Sequence, residues 1–170
     1  MTTIFDKHAA MMARIQRAIE IGRNPVGLQF DEILSATRGV VEGREILLAG
    51  TNNYLGLTFD PDCVAAAKRA IDTHGTGTTG SRQANGNYRE HAELESSISQ
   101  FLGMPSTIVF STGYQTNLAA ISGLAGEGDQ IFIDADSHAC IYDACRLSTA
   151  TTIRFRHNNP ADLDKRLART

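Results

Sequence analysis

From Ser106 onward the chain alternates short β-type runs with helix-compatible segments. TIVF (107–110), QIFID (130–134) and TTIRFR (151–156) are each followed by a turn and then a stretch with helix chemistry. Parallel neighbours cannot be joined by a tight hairpin and need a crossover, usually a helix. The rhythm therefore predicts an α/β fold with a three-strand parallel sheet covered on both faces. In such sheets, ligand sites gather beyond the carboxyl ends of the strands. A three-strand parallel sheet has exposed edges and little core of its own. The chain is accordingly expected to be the first part of a larger domain, unable to stand as a stable, active monomer.

Composition narrows the class. Lys and Arg total 16 against 19 Asp and Glu, a net charge of −3. A nucleic-acid binder relying on a basic surface is unlike this, because counterion release needs clustered positive charge. No apolar run approaches the ~18 residues of a membrane span, which leaves peripheral membrane contact as the remaining membrane option. Three cysteines, Cys63, Cys140 and Cys145, are an odd number at irregular spacing. They read as reduced thiols of a cytoplasmic protein, with no C-x-x-C pair for zinc. The N-terminus lacks a signal-type apolar stretch.

Before the β/α rhythm, residues 1–37 predict an N-terminal helix and linker, and residues 38–170 a hairpin plus the first part of a large domain. Ile4, Phe5, Met11, Met12, Ile15 and Ile19 fall at helical spacing, and Gly22, Asn24 and Pro25 predict the helix end. That stripe either packs on the chain's own core or lies as an arm across another subunit. GVVEGREILLAG predicts a hairpin turning at Glu42-Gly43. Asp60 and Pro61 predict a helix start, with Val64, Ala67 and Ile71 on one face. A further helix is expected over about Arg89 to Leu102, ending at Gly103. At the other end, Asn159 and Pro160 predict a cap and first turn.

Three motifs bear chemistry. Gly75-Thr76-Gly77-Thr78-Thr79-Gly80 matches G-x-G-x-x-G literally, but a dinucleotide loop needs a preceding strand, and here a helix precedes it. A surface loop, or a loop lining a site, are the other readings. In IVFSTGYQTNLAAISGL a β-type run enters Ser111-Thr112-Gly113 and a helix begins near Tyr114, so free N–H groups and the helix dipole could hold a phosphate. A plain strand-to-helix turn is the alternative, and the absence of a Walker lysine speaks against a nucleoside triphosphate. Third, IFIDADSHAC places Asp134, Asp136, Ser137 and His138 at a strand's carboxyl end. Asp136 and His138 alone are weak evidence for a metal, and no metal is assigned. His138 either serves the helix start structurally or stacks on a planar ligand.

In this order, NNYLGLTFDP, HGTGTTGSRQANGN, HAELESSISQFLG, IVFSTGYQTNLAAISGLAG, GDQIFIDADSHACIYDAC and IRFRHNNPADLDKRL resemble the α-oxoamine synthases of the pyridoxal-phosphate fold-type I superfamily. The likeness runs over roughly Arg38 to Arg169. It implies part of the three-layer αβα large domain, aspartate aminotransferase-like and mainly parallel, with an N-terminal helical arm. It also implies a homodimer using pyridoxal 5'-phosphate. An amino acid would lose its α-proton, condense with an acyl thioester of coenzyme A and lose its carboxylate; L-serine and a long-chain acyl-CoA are favoured, with glycine or alanine the runner-up. On this pattern Gly113 and Tyr114 bind the cofactor phosphate. His138 stacks on the pyridine ring as cofactor-binding and catalytic residue, and Asn53 lies near the substrate carboxylate. The family's cofactor lysine and pyridine-nitrogen aspartate fall downstream of the matched motifs; Lys7, Lys68 and Lys165 are the chain's lysines, and none has the family's context. A catalytically incomplete piece, or a non-catalytic interaction remnant, is therefore also expected from the sequence.

Overall fold

The computed structural model describes residues 3–22 and 27–169. The chain divides into two compact units, residues 1–77 and 78–170. Asn24 and Pro25, expected to close the first helix, lie outside the described residues.

In the first unit a 3-10 turn, Asp6–His8, leads into α1, Ala9–Glu20. No residue of α1 is buried. Its apolar stripe is largely exposed, with Phe5 just ahead of it 77% exposed and Ile15 half-buried. After it come three antiparallel strands in the order β1-β2-β3: Glu32–Ile33, Arg38–Val41 and Arg44–Leu47. The expected hairpin is β2–β3, in which Val41 pairs with Arg44. Its turn residues Glu42 and Gly43 have φ of 51° and 71°. Two consecutive left-handed residues are what the tight turn matching strand twist demands. Strand β1 was not expected. It needs Gly39, where a Cβ would sit 3.1 Å from the Glu32 carbonyl oxygen and 3.2 Å from the Phe30 ring.

Helix α2, Pro61–His74, opens as its sequence chemistry predicts. Asp60 Oδ1 accepts from the N–H groups of Asp62 and Cys63, both at 3.0 Å. The carboxylate satisfies two of the donors that every helix start leaves without a partner.

The second unit begins with the glycine-rich loop, which folds on itself. A Cβ on Gly86 would lie 1.8 Å from the Gly80 carbonyl oxygen, and one on Gly80 would collide with Asn85. These two glycines admit the loop's own atoms, and α2 rather than a strand precedes the motif. Helix α3, Arg89–Leu102, ends at Gly103, whose φ is 65°. Helix α4 is Gly113–Leu124, and a βαβ unit follows: β4 (Gln130–Asp134), α5 (Ala139–Leu147) and β5 (Thr151–Phe155). β4 and β5 pair in parallel, and α6 (Pro160–Leu167) closes the unit. Asn159 Oδ1 caps α6 through the Asp162 N–H at 2.9 Å, as expected. The α/β class is borne out.

One strand is corrected. TIVF joins no ladder, so the parallel sheet among the described residues has two strands, not three. The backbone groups of Val109 are taken by side chains instead. Its N–H donates to Glu95 Oε1 at 2.8 Å, and its carbonyl accepts from Arg82 Nη1 at 3.0 Å. Burial is concentrated on the βαβ unit. Ile133, Cys140, Ala144 and Cys145 are the buried apolar side chains among the described residues.

A Cβ on Gly103 would meet nothing within 4 Å, so substitution there tests backbone conformation alone. Gly103→Ala in the full-length protein is expected to cost about 1 kcal/mol through the left-handed conformation. Urea unfolding would show a lower midpoint at unchanged slope. An unshifted midpoint would refute it.

Candidate active site

The turn into α4 is built by Thr112. In extended conformation, it accepts the Gln115 N–H on Oγ1 at 3.2 Å and the Thr116 N–H on its carbonyl at 3.0 Å. The N–H groups of Gly113 and Tyr114 precede that first intrahelical bond, so the helix offers them no partner. A Cβ on Gly113 would meet nothing within 4 Å, which leaves the backbone open on that side. Two free donors at the positive end of a helix suit an anion.

His138 is placed by the end of β4. Three residues, Ala135, Asp136 and Ser137, separate it from the strand, and it caps α5. Its Nδ1 accepts the Cys140 N–H at 3.2 Å and lies 2.9 Å from Cys140 Sγ, which in turn receives the Asn117 amide at 3.1 Å. A backbone N–H can only donate, so Nδ1 carries no proton in this arrangement and the neutral ring holds its proton on Nε2. The ring is exposed and stands 6.3 Å from that of Tyr114, centroid to centroid, at 77°. The Tyr114 hydroxyl donates to Asp143, whose other oxygen accepts from Arg146 at 2.9 Å. The Asp143 carboxylate, with some burial, pushes the Tyr114 phenol above its ordinary value. It therefore remains a protonated donor that ties α4 to α5.

The acidic cluster has a different job. Asp134 accepts from the N–H groups of Asn158 (2.9 Å) and Asp136 (2.8 Å) and from His157 Nδ1 (2.9 Å). Those bonds, led by the backbone ones, hold its carboxyl down at about 2. It is a permanent anion that fastens the end of β4 to the loop after β5, and too weak a base to take a proton near neutrality. No grouping of three His, Cys, Asp or Glu side chains able to hold a metal occurs among the described residues.

Of the residues singled out from the sequence, the structure brings Gly113, Tyr114 and His138 together. Asn53 belongs to the first unit, where its amide donates to the Ala36 carbonyl (3.3 Å) and to Thr58 Oγ1 (2.8 Å). Sequence reasoning missed Arg82, Glu95 and His157. The signal for Arg82 was its place as the lone charge in GTGTTGSRQANGN. Glu95 and His157 carry no local signal.

Comparison with known proteins decides the family. Residues 44–170 match the aminotransferase class I and II family. The chain belongs to that family. It is 52% identical over 166 residues to the serine palmitoyltransferase of Caulobacter vibrioides, covering 98% of this chain and 41% of that protein. The structure of a serine palmitoyltransferase variant from Sphingomonas paucimobilis with a bound pyridoxal-phosphate–myriocin aldimine matches with a TM-score of 0.94 and 44% identity, over 99% of this chain and 43% of that one. An 8-amino-7-oxononanoate synthase of Geobacter metallireducens is 43% identical over 133 residues, 78% of this chain and 34% of that protein. This chain thus spans about two fifths of the length of the serine palmitoyltransferases it matches. The fold is fold type I of the pyridoxal-phosphate superfamily, as the resemblance implied.

The Asp134–His157 pair gives a pH signature. Asp134 raises the pKa of His157, by hydrogen bond and by charge. Stability from the protonated ring is therefore complete below its unfolded pKa of ~6.5 and lost as pH rises through the higher folded value. The depressed Asp134 works oppositely: its share is complete above ~3.9 and lost as pH falls toward about 2. Wild-type protein should exceed His157→Asn in melting temperature most between pH ~4 and ~6.5, with the gap narrowing by pH ~8.5. A gap that is the same at pH ~5.5 and ~8.5 would refute the ion pair.

Proposed function

We propose that the protein is a cytoplasmic, homodimeric, pyridoxal-phosphate-dependent α-oxoamine synthase. Its reaction is the decarboxylative condensation of L-serine with a long-chain acyl-CoA, releasing carbon dioxide and free coenzyme A. The observation that carries this is the pairing of two uncommitted N–H groups at the start of α4 with an exposed imidazole at the start of α5. It stands on a fold shared with serine palmitoyltransferases. Among the described residues no helix is long and apolar enough to cross a membrane.

The residues fit the cofactor. Gly113 and Tyr114 N–H groups would take its phosphate, and the flat face of His138 would lie against its ring. When bound, pyridoxal phosphate supplies the electron sink that makes loss of the amino acid's α-proton feasible. His138, with Nδ1 engaged by Cys140, presents Nε2–H as the donor for the substrate carboxylate. Asn53, whose amide donates to Ala36 and Thr58, holds the NNYLGL loop of the first unit, and its role toward the substrate carboxylate rests on the family resemblance. On the family resemblance, the lysine that would hold the cofactor lies downstream of the matched motifs. The likeness to 8-amino-7-oxononanoate synthase supports the second reading, in which a small amino acid such as alanine or glycine meets a different acyl-CoA.

Product analysis of the full-length protein with serine, glycine and alanine against acyl-CoAs of graded length tests this. The expected product is the long-chain 3-oxo amino alcohol from serine, and turnover of no combination would reject the class. His138 itself is tested by two substitutions. Asn is among the best N-cap residues, whereas Ala loses about 1 kcal/mol of cap. His138→Asn should therefore keep the melting temperature, weaken amino-acid binding and disturb the cofactor spectrum, while His138→Ala should lose stability as well. Normal serine KM and spectrum in His138→Asn would leave the imidazole with capping alone.

A further inference from the structure

We propose that Arg82 and Glu95 are positioning residues for the anion-binding turn Ser111–Tyr114. They hold Val109 by both of its backbone groups and so set where the Gly113 and Tyr114 N–H groups sit. This rests on the reading that the turn receives the cofactor phosphate.

The pair binds Val109 as a neighbouring strand would. Arg82 Nη1 and Nη2 meet Glu95 Oε1 and Oε2 at 2.6 and 3.0 Å, a two-point contact that fixes the guanidinium plane. Arg82 Nη1 also donates to the Val109 carbonyl at 3.0 Å, and Glu95 Oε1 accepts the Val109 N–H at 2.8 Å. One residue thus has its donor and its acceptor satisfied by two coupled side chains, as a ladder partner would do. The anchors behind them are firm. Glu95 sits within α3. Arg82 Nε and Nη2 both donate to Asn87 Oδ1, at 3.0 and 2.8 Å, inside the loop that Gly80 and Gly86 allow to close on itself. The Arg82 hydrogen bond and the Val109 N–H together hold the Glu95 carboxyl at about 2, so the clamp stays charged across the working pH range.

Val109 lies two residues before Ser111 and four before Gly113. A slip at Val109 is therefore passed directly into the turn, where hydrogen bonds to a phosphate depend steeply on distance and angle. Lysine cannot replace Arg82, because a point charge cannot reach Glu95, Asn87 and the Val109 carbonyl from one plane. Glutamine in place of Glu95 keeps the shape but loses the charge and one acceptor.

The test compares pyridoxal 5'-phosphate with pyridoxal, which lacks the phosphate. Both are titrated by absorbance into cofactor-free full-length protein, for wild type, Arg82→Lys and Glu95→Gln. Each variant should bind pyridoxal phosphate about tenfold more weakly, while pyridoxal affinity moves less than about twofold. Inorganic phosphate should also compete with pyridoxal phosphate less well than in wild type. A pyridoxal-phosphate-to-pyridoxal ratio equal to wild type in a folded variant would overturn the inference, whatever the loss of melting temperature. Should Arg82→Lys fail to fold, Glu95→Gln carries the same comparison. A wild-type protein that binds both ligands alike would overturn the reading of the turn itself, and the positioning role with it.

Discussion

β4 and β5 run in parallel, Gln130 beside Thr151 through Asp134 beside Phe155, and the geometry of the candidate site follows from that pairing. Two parallel strands end at the same edge, so the segments that leave them, 135–138 and 156–159, emerge side by side. Antiparallel strands would have sent them to opposite ends. The Asp134 carboxylate uses this closeness, reaching across to the N–H of Asn158 and the ring of His157. With its end pinned, β4 delivers His138 to the start of α5 after only three residues. The buried apolar side chains, Ile133 in β4 and Cys140, Ala144 and Cys145 in α5, lie on the strand and helix that flank this link.

Where no ladder forms, side chains take its place. A backbone N–H or carbonyl shielded from water without a partner costs much of a hydrogen bond. At Val109 that demand is met by Glu95 and Arg82, from α3 and the glycine-rich loop. TIVF, β-type in composition, joins no ladder among the described residues. Composition says that a segment can line up beside another, and the partner decides whether it does.

The features legible in the sequence are those decided within a few residues. Asp60 and Pro61 announce α2, Glu42-Gly43 the hairpin, Gly103 the end of α3, and Asn159 with Pro160 the start of α6. In each case the cap or turn chemistry acts over two to four positions, and the structure places it as read. The misses are long-range. β1 finds β2 through Gly39, and nothing in DEIL announces it. Arg82 reaches Glu95 across 13 residues and Val109 across 27, and His157 meets Asp134 across 23. At the candidate site, Gly113, Tyr114 and His138 could be singled out because turns that open helices bear recognisable chemistry. The groups that orient those turns were not, since their pairing is set by the fold.

His138 shows why the structural and functional readings of a residue need not compete. A position that only capped α5 would be better served by Ser, Asp or Asn, whose short side chains reach the second or third N–H with little loss of freedom. The imidazole caps with Nδ1 and leaves the rest of its ring exposed. Capping spends the lone pair of one nitrogen, which assigns the neutral ring's proton to the other. The Cys140 thiol, itself contacted by Asn117, sits against the same capping nitrogen. A ligand arriving at this edge therefore meets a ring with one open donor and a fixed axis of approach, next to the N–H groups that begin α4. The bond that starts the helix is also the bond that decides which hydrogen the site can offer.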